Sequence, residues 1–344
     1  MMKPSVLIVG ALLSSTRGIR SVSEDLAARL SSAGWKVLAT SEKPDRLPRL
    51  LDMVMTVWRR RRDYGVANVE VFSGLAFYWA EIVCFLLRLL GKPYILTLHG
   101  GSLPEFALRY PRRVRRLLRS AKFVTAPSGY LLERMSAYRS DLILLPNPLK
   151  LEAYPFRPRV QASAKLIWLR AFHRTYNPTL APRVVKQLAS EFPEIHLDMI
   201  GPDKGDGSAE EVRQIISALE VSRRVSQVGV VAKTTIPQYL DRGDVFLNTA
   251  NVDNAPVSVL EAMACGLCVV STNVGGLPYL LENELDALLV PPDDSQAMAA
   301  AVRRILTSPQ FAETLSQNAR KKAEQHDWLV ILPQWERLFE AATR

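Results

Sequence analysis

The stretch Asn248-Thr-Ala-Asn-Val-Asp253-Asn254-Ala-Pro256-Val257-Ser258-Val-Leu-Glu261-Ala-Met-Ala-Cys-Gly266 gathers residue types able to do chemistry. Pro256 fits the first turn of a helix, where its missing N–H costs nothing. The unbonded N–H groups of that turn can hold a phosphate or a sugar hydroxyl. Glu261 stands about one turn further in, where a carboxylate can accept two hydrogen bonds from a ribose diol. Asp253 lies just ahead of the helix. A plainer reading also stands: Asp253 caps this helix, and Glu261 is a solvated acid favoured by its dipole. Only four histidines occur, and His99 stands out among them, because Leu96-Thr-Leu-His99-Gly100-Gly101 puts it at the carboxyl end of an expected strand. The two glycines let backbone approach a ligand closely. The plainer alternative is a structural histidine.

Such residues need a frame, and the chain spells one out. Ser5–Val9 reads as a strand, Val22–Leu30 as a helix stopped by Gly34, and Val37–Ala39 as the next strand, one βαβ unit. Tyr94–Leu98 and Lys122–Ala126 repeat the grammar, which implies a parallel sheet covered by helices. Val71–Leu87 reads as a core helix, since Glu81 interrupts it and it falls short of the ~20 clean apolar residues of a membrane span. Pro146, Pro148, Pro155 and Pro158 mark a connection between domains. Beyond it Lys165–Leu169, Ile195–Ile200, Val225–Val231, Val245–Asn248 and Cys268–Ser271 read as strands separated by helices. The expectation is an α/β protein of two doubly wound, Rossmann-like domains, with ligands at the carboxyl ends of the strands. The domains expected are 1–157, completed by the aromatic C-terminal helix 327–344, and 158–326.

The bulk numbers suit this frame: 344 residues, 48% hydrophobic and 23% charged, exclude disorder as the main state. Three cysteines are too few for a disulfide framework, and Cys265-Gly-Leu-Cys268 closes a helix instead of opening one, so packing is the expected role. The N-terminal apolar run contains Gly10 and no small-residue cleavage site follows, so a buried strand is expected there, not a signal peptide. No Asp-x-Asp metal motif, calcium loop or G-x-G-x-x-G fingerprint is present. No helix-turn-helix or zinc-finger pattern is present either, so no nucleic-acid partner is expected.

An acidic residue, seven intervening residues and a glutamate in Glu261-Ala-Met-Ala-Cys-Gly266, followed by Asn273-Val-Gly275-Gly276-Leu-Pro278 and Leu289-Val-Pro291-Pro292, resembles the donor-binding domain of the retaining family 4 glycosyltransferases of GT-B fold. The resemblance is strongest over 244–295. It implies two Rossmann-like domains facing a central cleft, a nucleoside-diphosphate sugar as donor and co-substrate, a glycan or lipid-linked acceptor, and neither metal nor further cofactor. Glu261 matches the residue that holds the donor ribose. Asp253 replaces a glutamate that contacts the transferred sugar, and Asn254, Pro256, Val257 and Ser258 match the turn that touches sugar and diphosphate. Arg170 matches the arginine of a Gly-Arg-x4-Lys diphosphate site whose lysine is missing. Thr175 or Tyr176 stands near that position, and His173 or Arg174 are the candidate substitutes. His99 matches the active-site histidine, and Gly18 the one confident glycine of the N-terminal phosphate loop.

Charge is uneven. Residues 1–160 hold 26 Lys+Arg and 12 Asp+Glu, net +14, while residues 161–344 hold 18 and 22, net −4. Pro111–Lys122 reads as a helix with Arg112, Arg113, Arg115, Arg116 and Arg119 around an apolar stripe, and Arg59–Arg62 forms a second run. These suggest that the basic half leans on an anionic membrane; the alternative is a solvated basic face. The resemblance implies a cytoplasmic enzyme of cell-surface polysaccharide biosynthesis. The missing lysine motivates a second function: a family member that has lost catalysis and serves for binding or scaffolding within a larger assembly. The third is a nucleotide-sugar epimerase, or a phosphorylase, on the same fold.

Overall fold

The computed structural model describes residues 3–13 and 21–344. They form two units, one of residues 1–148 with 328–344 and the other of residues 149–327. The first contains strands β1 (Val6–Val9), β2 (Val37–Thr40), β3 (Val66–Val71), β4 (Tyr94–Leu98), β5 (Phe123–Ala126) and β6 (Ile143–Leu144). Its helices are α1 (Val22–Ser32), α2 (Arg46–Arg59), α3 (Leu75–Leu89), α4 (Leu103–Arg109), α5 (Pro111–Ser120) and α6 (Gly129–Met135). The sheet is parallel, in the order β2-β1-β3-β4-β5-β6. Winding therefore reverses between β1 and β3.

The second unit contains β7 (Lys165–Leu169), α7 (Leu180–Leu188), β8 (His196–Ile200), α8 (Ser208–Ala218), β9 (Val225–Gly229), α9 (Ile236–Arg242) and β10 (Val245–Asn248). It continues through α10 (Val257–Ala264), β11 (Cys268–Thr272), α11 (Leu277–Leu280), β12 (Leu288–Val290), α12 (Ser295–Thr307) and α13 (Pro309–Glu324). Its parallel sheet runs β12-β11-β10-β7-β8-β9, reversing between β7 and β10. The last helix, α14 (Trp328–Thr343), returns to the first unit, where Trp328, Ile331, Trp335 and Phe339 pack with Val6, Ile8, Leu30 and Trp35. Both sheets thus have the doubly wound arrangement that brings ligand loops together at a reversal point.

Two boundaries differ from the sequence reading. The segment opening at Val71 is not helical throughout: Val66–Val71 is a buried strand, and α3 starts at Leu75 after Gly74, whose φ of 70° breaks the extended run. The units part at Pro148/Leu149, not after 157. Leu149 donates its N–H to the His326 carbonyl (2.7 Å), and Arg157 and Arg159 both reach Asp244, which ties the proline-rich segment into the second unit. Cys265 and Cys268 are buried and free, and burial pushes both thiols up to about 12, as packing residues require. Among the described residues no helix is long and apolar enough to cross a membrane.

Candidate functional site

In the second unit the reversal of winding sets the loop after β7 beside the loop after β10. Arg170 follows β7 directly, and its N–H donates to the Ile200 carbonyl (3.0 Å). That approach requires Gly201, since a Cβ there would lie 1.8 Å from the Arg170 carbonyl oxygen. The Arg170 guanidinium donates to Asp253 Oδ2 and lies over the Tyr176 ring, 4.4 Å from its centroid. Its Nε is buried with no hydrogen-bond partner among the described residues. A buried donor of this kind costs free energy unless an acceptor arrives, so Arg170 is braced on two sides and keeps one unmet donor.

Asp253 does not cap α10. Its Oδ1 accepts the Asn254 N–H (2.9 Å) and its Oδ2 holds Arg170. Pro256 is itself the N-cap residue, with no side-chain capping bond, so Val257 and Ser258 are the first helical residues. First-turn N–H groups have no acceptor within their own helix, and the Ser258 hydroxyl is buried without a partner among the described residues. Asn254 is buried in the same loop. Gly275 and Gly276 lock this loop from behind. The Gly276 N–H donates to the Asp253 carbonyl (3.0 Å), and a Cβ on Gly276 would stand 1.8 Å from the Asn254 carbonyl oxygen.

Glu261 is not a solvated first-turn acid. It lies in the second turn of α10, buried, and its Oε1 accepts the Tyr154 hydroxyl (2.6 Å). Tyr154 escaped the sequence reading because its segment looked like a linker. The only signal was a tyrosine in an otherwise proline-rich run. The C-terminal end of α10 is closed as the glycine pattern requires: Leu267 N–H bonds the Ala262 carbonyl (3.0 Å) and Gly266, at φ 79°, bonds Met263 (3.0 Å).

The residues proposed to replace the missing lysine are not brought to Arg170. Arg174 is exposed, and the bonds it makes among the described residues run through its backbone, including its N–H to Asp206 (2.9 Å), which helps hold that carboxyl at about 2. His173 accepts the Thr175 N–H through Nδ1 (3.2 Å). Tyr176 is the residue that meets Arg170, with its ring against the guanidinium.

In the first unit, His99 follows β4, its N–H bonded to the Val71 carbonyl (2.8 Å) and its ring stacked on Phe72 at 4.8 Å. Its Nε2 is buried without a hydrogen-bond partner among the described residues, 3.7 Å from Glu70 Oε1. Burial holds the imidazole below its ordinary value, with the Glu70 charge opposing. Glu70 was missed at the sequence level. It sits near the end of β3, at the winding reversal, where it accepts the Ala11 N–H (3.3 Å) and the Ser23 hydroxyl. An acid inside the apolar strand Val-Ala-Asn-Val-Glu-Val was the available signal. Gly18 lies outside the described residues.

Residues 156–322 match the family model described as glycosyl transferases group 1. The chain is 26% identical over 263 residues to the D-inositol 3-phosphate glycosyltransferase of Mycobacterium marinum, covering 73% of this chain and 56% of that protein. It is 32% identical over 127 residues to the amylovoran biosynthesis glycosyltransferase AmsK of Erwinia amylovora, covering 35% and 31%. The chain thus spans between about a third and just over half the length of these curated relatives. Among solved structures, Anabaena HepE in complex with UDP and glucose superposes with a TM-score of 0.77 at 18% identity, covering 98% of this chain and 100% of that one. The GT-B fold follows from that likeness.

Proposed function

We propose, from the premise that residues 156–322 belong to the glycosyl transferases group 1 family, that this chain is a retaining, metal-independent glycosyltransferase. It moves a sugar from a nucleoside diphosphate to a hydroxyl of a glycan or lipid-linked acceptor in cell-surface polysaccharide synthesis. The anomeric C–O bond to the diphosphate breaks, the acceptor oxygen bonds that carbon with its configuration kept, and the acceptor proton leaves with the diphosphate.

One observation carries the reading: Arg170, braced by Asp253 and Tyr176 at the β7/β10 reversal, keeps an unsatisfied buried donor beside the loop that leads into α10. Negative charge accumulates on the leaving diphosphate, and pre-placed donors stabilise it without reorganising. Arg170 and the α10 first-turn amides supply those donors, and Glu261, fixed by Tyr154, holds the ribose. Asp253 positions the sugar. The complex of HepE with UDP and glucose makes a UDP-sugar the first donor to try.

A second reading is favoured by the same pair, because Asp253 neutralises the one arginine of a site that lacks its lysine: a binding protein without catalysis. Release of nucleoside diphosphate from UDP- and GDP-sugars, measured with membrane extract as acceptor source and EDTA present, separates the two. We expect release, and a loss of about a hundredfold in both Glu261→Ala and Arg170→Ala, with both variants still folded. Near-normal release from both variants overturns the site assignment. Donor binding without release establishes the second reading.

A further inference from the structure

On one face of the first sheet, α2 and α3 pack side by side over a shared core that includes Met53, Val57, Phe77, Val83 and Leu87. Both helices are also apolar on the side turned away from it. On α2, Leu47, Leu51, Met55 and Trp58 recur at helical spacing and are 73%, 64%, 42% and 49% exposed. On α3, Ile82, Phe85 and Leu89 do the same at 44%, 56% and 67%. A surface helix ordinarily turns polar residues outward, and a contiguous apolar stripe of this kind marks a contact with something other than water.

Charge says what that something is. From Arg46 to Arg62 the chain carries six arginines and one acid, Asp52, which is engaged with the Thr40 hydroxyl at 2.9 Å. Arg61 stacks on Trp58 (4.8 Å) and Arg88 on Phe85 (5.9 Å), so guanidinium groups rim the apolar stripe itself. Next to α3, α5 adds exposed Arg112, Arg115 and Arg119, while its apolar Val114, Leu117 and Leu118 are buried. The basic helix singled out in the sequence therefore contributes charge, and the apolar part of the surface belongs to α2 and α3.

We propose that this face docks onto an anionic phospholipid bilayer, with Trp58, Phe85 and the neighbouring aliphatic side chains entering the headgroup boundary and the arginines lying over lipid phosphates. A second copy of the chain would set these like-charged rims against one another. The docking stands on the surface alone and does not depend on the transfer reaction.

The test is co-sedimentation of the whole protein with vesicles of phosphatidylcholine and of equal parts phosphatidylcholine and phosphatidylglycerol. Binding is expected to the anionic vesicles. The triple variant Leu51→Ser, Trp58→Ser, Phe85→Ser should bind at least about tenfold more weakly, because each residue removes buried apolar area. Arg59→Gln with Arg62→Gln should cost about fivefold per arginine. Thermal shift with UDP reports separately on the donor site and should be unchanged in all variants. Equal binding to both vesicles overturns the proposal, as does wild-type binding by both variants. So does a concentration-dependent dimer that the triple variant abolishes, since it would make a second copy the occupant.

Discussion

Arg170 is the side chain on which the proposed donor site turns, and its surroundings define what it can do. Family resemblance assigns Asp253 to the transferred sugar, but here its carboxylate bonds Arg170, and the ring of Tyr176 supports the opposite contact of the same guanidinium. One methylene shorter than glutamate, Asp253 meets the arginine instead of reaching past it. Tyr176 thereby becomes a positioning residue: it aims the cation without touching the chemistry. A cation over an aromatic face in a partly desolvated site gains about 1–2 kcal/mol, so Tyr176→Ala should lower kcat/KM about tenfold. Tyr176→Phe keeps the ring and should restore most of it. Steady-state kinetics of the two variants decides the point, and a phenylalanine variant as poor as alanine would mean that the hydroxyl, not the ring, matters. In the other unit Glu70 holds a comparable place. It accepts from Ala11 just past β1 and from Ser23 in the first turn of α1, and it faces the buried Nε2 of His99, so the histidine that the sequence singled out comes with an acid that it did not.

Elements place these side chains through contacts that only certain residues permit. Gly201, Gly275 and Gly276 each allow one backbone to lie where a Cβ would collide with another, which is how the loops after β7, β8, β10 and β11 come to share one end of the sheet. Behind α10, the Arg159 guanidinium is buried and bonds Asp244 (3.2 Å), the Gly243 carbonyl (2.8 Å) and the carbonyls of Arg157 and Cys265. Arg157, 44% exposed, shares the same aspartate. Removing a buried charge partner strands several acceptors and costs about 3–5 kcal/mol, whereas an exposed pair contributes about 1 kcal/mol or less. Urea denaturation of Arg159→Ala and Arg157→Ala should show that gap, and equal losses would show that burial is not what gives the network its strength. Legibility followed the same physics. Period-2 and period-3.6 patterns revealed β1, β4, β7, β10, α1 and α10 because each has one buried side or lies wholly inside. The same patterns hid α2, whose apolar residues face both the core and the solvent, and β3, whose half-buried Glu70 interrupts its apolar run. Tyr154 was illegible for a different reason. Its partner is Glu261, and no local pattern records a bond between residues so far apart in sequence.

The charge asymmetry of the whole chain persists between the structural units. Residues 1–148 with 328–344 carry 25 Lys+Arg against 13 Asp+Glu, net +12, and residues 149–327 carry 19 against 21, net −2. The unit with the proposed anionic donor is therefore the one without bulk positive charge. Its recognition has to come from a few placed groups, a half-enclosed arginine and helix amides, and these act at contact distance where mobile ions do not intrude. The basic unit presents its arginines at the surface, where attraction is long-ranged. Screening separates the two, since the Debye length shrinks from about 10 Å at 0.1 M salt to about 3 Å at 1 M. Between about 0.1 and 0.5 M sodium chloride, UDP affinity measured by calorimetry should change by less than about threefold, while sedimentation with anionic vesicles should fall more than about tenfold. A parallel decline of both would mean that the donor, too, is held by diffuse charge, and the assignment of diphosphate binding to Arg170 and the α10 amides would fail. Divergence would establish that the two units meet their anions by different physics, one by a built contact and the other by a field.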